Sequence, residues 1–99
     1  MNMQSIMAQA QKMQRDINSK KDKINKMEFT GSSELVNVTV DGTKKIINID
    51  INKEVSLEKD DIEVLEDMIK ISLNDAFSKV DKQIEKDLGS YANAMGGLL

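Results

Sequence analysis

The sequence contains no cysteine, no proline, no histidine and no tryptophan. Without cysteine there is no disulfide framework and no zinc–thiolate site, and without histidine the chain lacks the commonest general base and metal ligand. Aromatic residues make up only 3% of the 99 residues, so we expect a thin core of Ile, Leu, Val and Met. No apolar run approaches the roughly 20 residues of a membrane-spanning helix. These absences predict a soluble, cytoplasmic domain that has no catalytic activity, cofactor, metal, small-molecule substrate or membrane contact.

What the sequence does contain is an uneven distribution of charge. Residues 1–27 hold six basic residues against two acids, whereas the remainder holds eight lysines against fifteen carboxylates. The first segment is therefore positive, although the whole chain has a net charge of −3. A cationic helix on an acidic body can meet a polyanion with one face only, so this pattern favours a binding protein over an enzyme.

The basic segment, residues 2–27, has a seven-residue apolar period that predicts one long helix. At ~1.5 Å per residue it would extend roughly 38 Å, which exceeds the width of a compact domain of this size. We therefore expect part of the helix to project or to pack on a partner chain; the alternative is an amphipathic helix lying on its own sheet. The predicted dimer or core seam comprises Met3, Ile6, Ala10, Met13, Ile17 and Ile24, with Lys20 as a polar break.

Three short segments predict an antiparallel meander. An extended piece at residues 27–30 precedes a turn at residues 31–33, and residues 35–40 then alternate between apolar and polar side chains. Asp41-Gly42 is a strong hairpin signal. The residues expected to form one buried face are Val36, Val38, Val40, Ile47, Ile49 and Ile51, with Ile46 as an exception on the polar side.

A second helix is predicted after a connector at residues 52–59. Asp60 and Glu63 resemble a capping box at the helix start, and an apolar stripe continues to Leu88. Gly89 lies at the C′ position, where a glycine commonly ends a helix. Residues 1–88 are thus predicted to form one domain and residues 89–99 a flexible tail. The resulting order predicts an α+β fold with an α-β-β-β-α protomer. One helix suffices to cover the apolar face of the sheet, so the other helix needs a second surface on which to pack. We therefore predict a homodimer, which would also protect the open edges of the sheet.

Cations recur along one outer face of the first helix. Lys12, Arg15, Lys23 and Lys26 fall at steps of helical spacing, beside a row of amide side chains, and this composition suits contact with a phosphate backbone. The alternative is a solvated face that serves solubility. No aromatic residue lies in the stripe, which disfavours stacking on single-stranded bases. The predicted DNA-binding residues are Lys12, Arg15, Lys20, Lys21, Lys23 and Lys26.

Other charged and flexible side chains suggest further roles. The acids at residues 58–67 lack the alternation and central glycine of a calcium loop, so we interpret them as favourable charges at a helix start rather than a metal site. The methionines of the first helix suggest an alternative function, a protein-interaction or chaperone-like module that grips a partner with its apolar seam. Oppositely charged pairs at i,i+4 spacing are Asp16–Lys20, Asp22–Lys26, Glu66–Lys70 and Asp75–Lys79.

Three motifs together resemble the YbaB/EbfC family of bacterial nucleoid-associated proteins. They are MAQAQKMQ at residues 7–14, VTVDG at 38–42, and LEDMI at 65–69 followed by NDA at 74–76. The resemblance covers residues 3–88 and implies a tweezer-like homodimer that binds double-stranded DNA in the nucleoid, with little sequence preference and an effect on DNA conformation. Lys12 lies within the first motif, whereas the other five cations depend on the charge argument alone. The proline usual in the family's tail is missing from residues 94–97.

Overall fold

The structure, a computed structural model, describes residues 2–94. Its elements are α1 (Met3–Asn25), β1 (Glu28–Ser32), β2 (Val36–Asp41), β3 (Ile46–Ile51), a short 3-10 turn (Lys59–Asp61) and α2 (Ile62–Ala94). The three strands form one antiparallel sheet in the order β1-β2-β3. The α+β fold and the α-β-β-β-α order predicted from the sequence are confirmed.

The helix α1 occupies nearly the whole predicted segment. The Asn2 side chain caps it by accepting a hydrogen bond from the Ser5 amide at 2.8 Å. Near its other end Ile17 and Ile24 are fully buried, whereas the residues before Met13 are exposed. The helix is therefore anchored by its C-terminal half, and its N-terminal half projects from a molecule 71 Å long and 21 Å wide.

The core lies between α2 and one face of the sheet. Val36, Val38 and Val40 of β2 are completely buried, as are Ala76 and Val80 of α2. Each buried valine contributes roughly 1.5–3 kcal/mol relative to an exposed one. The alternation predicted for β2 is confirmed, and the helix that covers the sheet is α2 rather than α1.

The strand β3 does not have the buried face that the sequence predicted. Ile49 pairs with Val38 and shares its face, yet its exposure is 43%, and Ile47 is 50% exposed. The physical reason is the path of α2, which packs on β1 and β2 and leaves β3 beside it. A register shift in the β2–β3 ladder pairs Ile46 with Val40, which accounts for an apolar residue on the polar side of the strand.

Gly31 lies inside β1, so the turn predicted there is wrong. A Cβ atom on Gly31 would lie 2.0 Å from the Ser72 carbonyl oxygen and 2.5 Å from the Ala76 nitrogen. The glycine therefore lets α2 rest directly on the backbone of β1. The chain turns slightly later, at residues 33–35, where the Ser33 amide donates to the Val36 carbonyl at 2.9 Å.

The β2–β3 hairpin lies where Asp41-Gly42 predicted it, but four residues, 42–45, connect the two strands rather than two. The Lys44 amide donates to the Asp41 carbonyl at 3.0 Å, and Lys44 rather than Gly42 has the positive φ, 67°. The Thr43 hydroxyl donates to the Asp41 carboxylate and lowers the pKa of that group below its usual value. Gly42 has a different role, since its Cβ would lie 1.9 Å from the Ile24 carbonyl oxygen. The hairpin thus supports the end of α1.

The second helix starts with a different pair of residues from the predicted one. The Glu58 amide donates to the Asp61 carboxylate at 2.8 Å, so this pair, and not Asp60 with Glu63, forms the reciprocal arrangement at the helix start. The acids of this region still lie beside the amide end of the helix, where they are electrostatically favourable.

The second helix also passes through its predicted stop. It continues beyond Gly89 to Ala94, because Leu88 and Tyr91 pack onto the core cluster and offset the roughly 1 kcal/mol that a glycine costs a helix interior. The prediction of a helix end at Gly89 is therefore wrong. The rest of the predicted tail, residues 95–99, lies outside the described residues.

Candidate nucleic-acid interface

Four of the six predicted DNA-binding residues lie on the outer face of α1. At 3.6 residues per turn, Lys12, Arg15, Lys23 and Lys26 point away from the side that buries Ile17 and Ile24, and all four are exposed. We call these four residues the basic stripe. Within residues 2–94, no member of the basic stripe is within salt-bridge distance of an acid. Their charges are therefore available to an external anion.

The other two predicted residues have a different environment. The Lys20 ammonium lies 5.0 Å from the centre of the Tyr91 ring and 3.5 Å from the Asp87 carbonyl oxygen, which it can reach as a donor. Lys21 lines a small apolar cleft between α1 and α2 with Ile84 and Leu88. Both residues thus help to hold α1 against α2, and the structure does not bring them together with the basic stripe.

Only one of the four predicted i,i+4 ion pairs is present among the described residues. Lys79 and Asp75 are 3.5 Å apart, and the same ammonium donates to the Thr30 carbonyl at 2.6 Å. The pairs predicted on α1, Asp16–Lys20 and Asp22–Lys26, do not form. Exposed pairs contribute at most about 1 kcal/mol, so other contacts readily replace them. Asp16 and Asp22 therefore reduce the net charge of α1 without forming a direct ion pair with any of its cations in residues 2–94.

The basic stripe is held by contacts that sequence patterns did not indicate. The end of α1 rests on the backbone of Gly42, and Ile24 is 1% exposed. On the other side of the same hairpin, Lys44 forms a 2.8 Å ion pair with Asp81 of α2. The hairpin thus contacts both helices, and its close packing on the end of α1 gives the stripe a defined orientation relative to the sheet. The sequence does not reveal the contact between Gly42 and Ile24, because the two residues are 18 positions apart and no local pattern links them.

The part of α2 beside α1 adds no net charge to that of the basic stripe. Residues 79–87 of α2, which lie beside α1, hold three lysines and three acids. The acids near the start of α2 are distant, because Glu66 precedes Asp87 by 21 residues, or roughly 32 Å of helix. This distance is about three to four times the screening length at physiological salt. The acidic end therefore does not cancel the field of the basic stripe.

The described part of the chain lacks two other kinds of feature. Among residues 2–94, no group of three or more acids is placed so that it could hold a metal ion. No helix of the described residues is long and apolar enough to cross a membrane.

Comparison with known proteins gives a consistent result. A nucleoid-associated protein of Streptococcus agalactiae serotype III is 45% identical over 97 residues, which cover 96% of this chain and 97% of that protein. One from Streptococcus pyogenes serotype M5 is 40% identical with the same coverage. An uncharacterized protein from Helicobacter pylori has the same fold, with a TM-score of 0.72 and 17% identity over 87% of this chain and 91% of its own. The YbaB/EbfC DNA-binding family, which is not an enzyme family, matches residues 1–95, and the chain belongs to it.

Proposed function

We propose that this protein is a nucleoid-associated homodimer that binds double-stranded DNA through the phosphate backbone, with little sequence preference. The observation that carries the proposal is the basic stripe, with four exposed cations on one helix face and no acid within ion-pair distance in residues 2–94. Family membership and the names of the streptococcal relatives support it. On this proposal the protein is located in the bacterial cytoplasm, on the nucleoid.

The chemistry of the stripe favours phosphates over bases. Three of its four members are lysines, which act as flexible point charges and carry little sequence information. No aromatic residue occurs in α1 on which an unpaired base could stack. Amides next to the stripe, such as Gln11 and Asn18, can add hydrogen bonds to phosphate oxygens. The interface therefore suits a duplex of any sequence.

Salt dependence tests this proposal. We expect a labelled duplex of about 30 base pairs to bind saturably in fluorescence anisotropy, with affinity falling steeply as salt rises. If a dimer engages roughly six phosphates, log K will fall with log salt at a slope near −5. Absence of binding at low salt by the folded protein would refute DNA contact. Binding that is indifferent to salt would instead favour a protein-interaction module that uses apolar surface.

The proposed dimer depends on an uncovered apolar surface along β3. We define the β3 flank as the residues Ile47, Ile49, Val55 and Leu57, which are 39–50% exposed. Ile49, Val55 and Leu57 line one open cleft. Next to them β3 presents an unpaired strand edge. Apolar side chains beside an open edge suit a second copy of the chain, because a two-fold axis would cover both flanks at once.

Substitution of Ile49 by lysine should therefore yield a monomer. The buried ammonium would have no partner in a symmetric interface, and we expect the dimer to dissociate at concentrations where the wild type stays associated. Asn48→Lys is the matched control, since Asn48 pairs with Thr39 on the other face of the sheet. Analytical ultracentrifugation measures the mass, and circular dichroism verifies the fold. A dimeric Ile49→Lys protein would place the interface elsewhere.

A further inference from the structure

The N-terminal part of α1 has a surface that the proposed DNA contact does not use. Residues 2–11 contain no charged side chain, and the first cation is Lys12. Met3, Ile6 and Met7 are 74%, 48% and 57% exposed, and Ala10 is exposed as well. We call the stretch of residues 3–11 the α1 tip. Three large apolar side chains are exposed to water here, on a projecting helix segment without charges. Such a surface is typical of a site of contact with another molecule.

The α1 tip lies beyond the part of α2 that the structure describes. Lys20 of α1 is level with Tyr91 of α2, and α2 is described for only three more residues, or about 4.5 Å. Met3 is 17 residues from Lys20, which corresponds to about 25 Å of helix. No residue in the range 2–94 covers the tip, and its apolar face continues the line of the buried Ile17.

We propose that the α1 tip pairs with the α1 tip of a second copy, as two antiparallel helices. The seven-residue spacing that links Met3 with Ala10 and Ile6 with Met13 is the spacing that suits a helix as partner. In the antiparallel arrangement Ile6 faces the small Ala10 of the other copy, which is a complementary fit. The side chains of the two tips carry no charge, so the first cation of each copy, Lys12, lies only at the margin of the contact.

The apolar face of the α1 tip points away from the basic stripe. At 3.6 residues per turn, Ile6 and Ala10 lie on the opposite side of α1 from Lys12 and Arg15. A duplex held by the basic stripe therefore leaves the apolar face of the tip turned away from the phosphates. Contact between tips and contact with DNA are thus compatible in one assembly.

The small size of the tip surface determines under which conditions two tips can pair. Four side chains per copy are far fewer than the roughly 20–30 residues per side of a stable interface. Pairing of tips is therefore weak in free solution and becomes effective when copies are held close together, where the effective concentration reaches the millimolar range. On the proposed function, DNA does this, and tip pairing joins neighbouring molecules into a cooperative coat.

Disulfide capture tests the pairing directly, since the wild-type chain has no cysteine. Ile6→Cys and Ala10→Cys proteins are mixed without DNA at about 100 μM, near the concentrations where weak contacts become populated. We expect mixed disulfide to form at least about tenfold faster than disulfide in the Ala8→Cys control, whose position is on the opposite face of the helix. Equal rates in all three proteins would overturn the proposal. This measurement is independent of DNA binding, so it separates failure of the pairing from failure of the proposed function.

A second variant measures the consequence on DNA. Ile6→Gln preserves helix propensity and alters a residue outside the core. We expect it to bind a duplex with room for one molecule as the wild type does, but to lose cooperativity on a duplex several times longer. Ala8→Gln should keep both properties. Unchanged cooperativity in Ile6→Gln, or weaker binding of the short duplex by Ile6→Gln alone, would overturn the pairing, and the latter result would place DNA on the tip.

Discussion

Reversal of the basic stripe, by substituting Lys12, Arg15, Lys23 and Lys26 with glutamate, is expected to lower duplex affinity by at least about 100-fold and to flatten its salt dependence. Each substitution replaces a cation that can neutralise a phosphate with an anion that repels it. All four side chains are exposed and none is in an ion pair within residues 2–94, so the fold should be unaffected. Anisotropy at several salt concentrations measures the affinity, and circular dichroism checks the fold.

The matched control changes the same amount of charge elsewhere. Lys53, Lys59 and Lys70 are three exposed lysines distant from α1, also without an ion pair among the described residues, and are compared with a stripe protein that carries glutamate at Lys12, Arg15 and Lys23 only. Their substitution by glutamate should weaken binding less than about tenfold, because charges more than a screening length from the duplex act feebly at physiological salt. If both proteins lost affinity equally, binding would reflect total charge rather than the stripe. If the stripe variant bound as the wild type, the site would lie on another face.

Replacement of Gly31 by alanine is expected to destabilise the fold strongly. The new Cβ would lie 2.0 Å from one backbone atom of α2 and 2.5 Å from another, so the helix would have to lift from β1. Overpacking usually costs about 1–3 kcal/mol, and overlap with two backbone atoms, which cannot move aside as a side chain can, places this case at about 3 kcal/mol or more. For a domain of this size the melting temperature should fall by at least about 12 °C.

Gly89→Ala is the informative comparison, because the same change should have the opposite sign. Gly89 lies inside α2, and its Cβ would meet only the carboxylate of Glu85, an exposed and flexible side chain. Alanine is favoured over glycine in a helix by about 1 kcal/mol, so the melting temperature should rise by a few degrees, about 4–8 °C. Calorimetry on both proteins checks the pair. A stable Gly31→Ala protein would contradict the close packing of α2 on β1.

The sequence predicted those features that depend on local pattern. The alternation of Val36, Val38 and Val40 shows which face of β2 is buried, and the spacing of Lys12, Arg15, Lys23 and Lys26 places four cations on one side of a helix. Both follow from the fixed period of a strand or helix. The position of the β2–β3 hairpin was also predicted, because aspartate and glycine adopt turn conformations readily.

Features that depend on tertiary packing were not predictable in this way. Gly31 lets α2 pack directly on the backbone of β1, and Gly89 is tolerated inside α2. In the sequence, however, both glycines resembled ordinary chain breaks. The exposure of Ile47 and Ile49 depends on the path of α2 across the sheet, which no alternation in β3 encodes. Lys20 likewise appeared to belong to the basic surface, and its contact with Tyr91 depends on how two distant helices align.

The shape of the molecule gives α1 the mechanics of a lever. Its last fully buried residue before the free end is Ile17, and Met3 lies 14 residues further, at about 21 Å. A rotation of about 10° about Ile17 would move the end of the helix by about 4 Å, or roughly two-thirds of the helical pitch. Small adjustments of packing near Ile17 are thus amplified at the α1 tip, so the position of the tip can change while the sheet and its core stay unchanged.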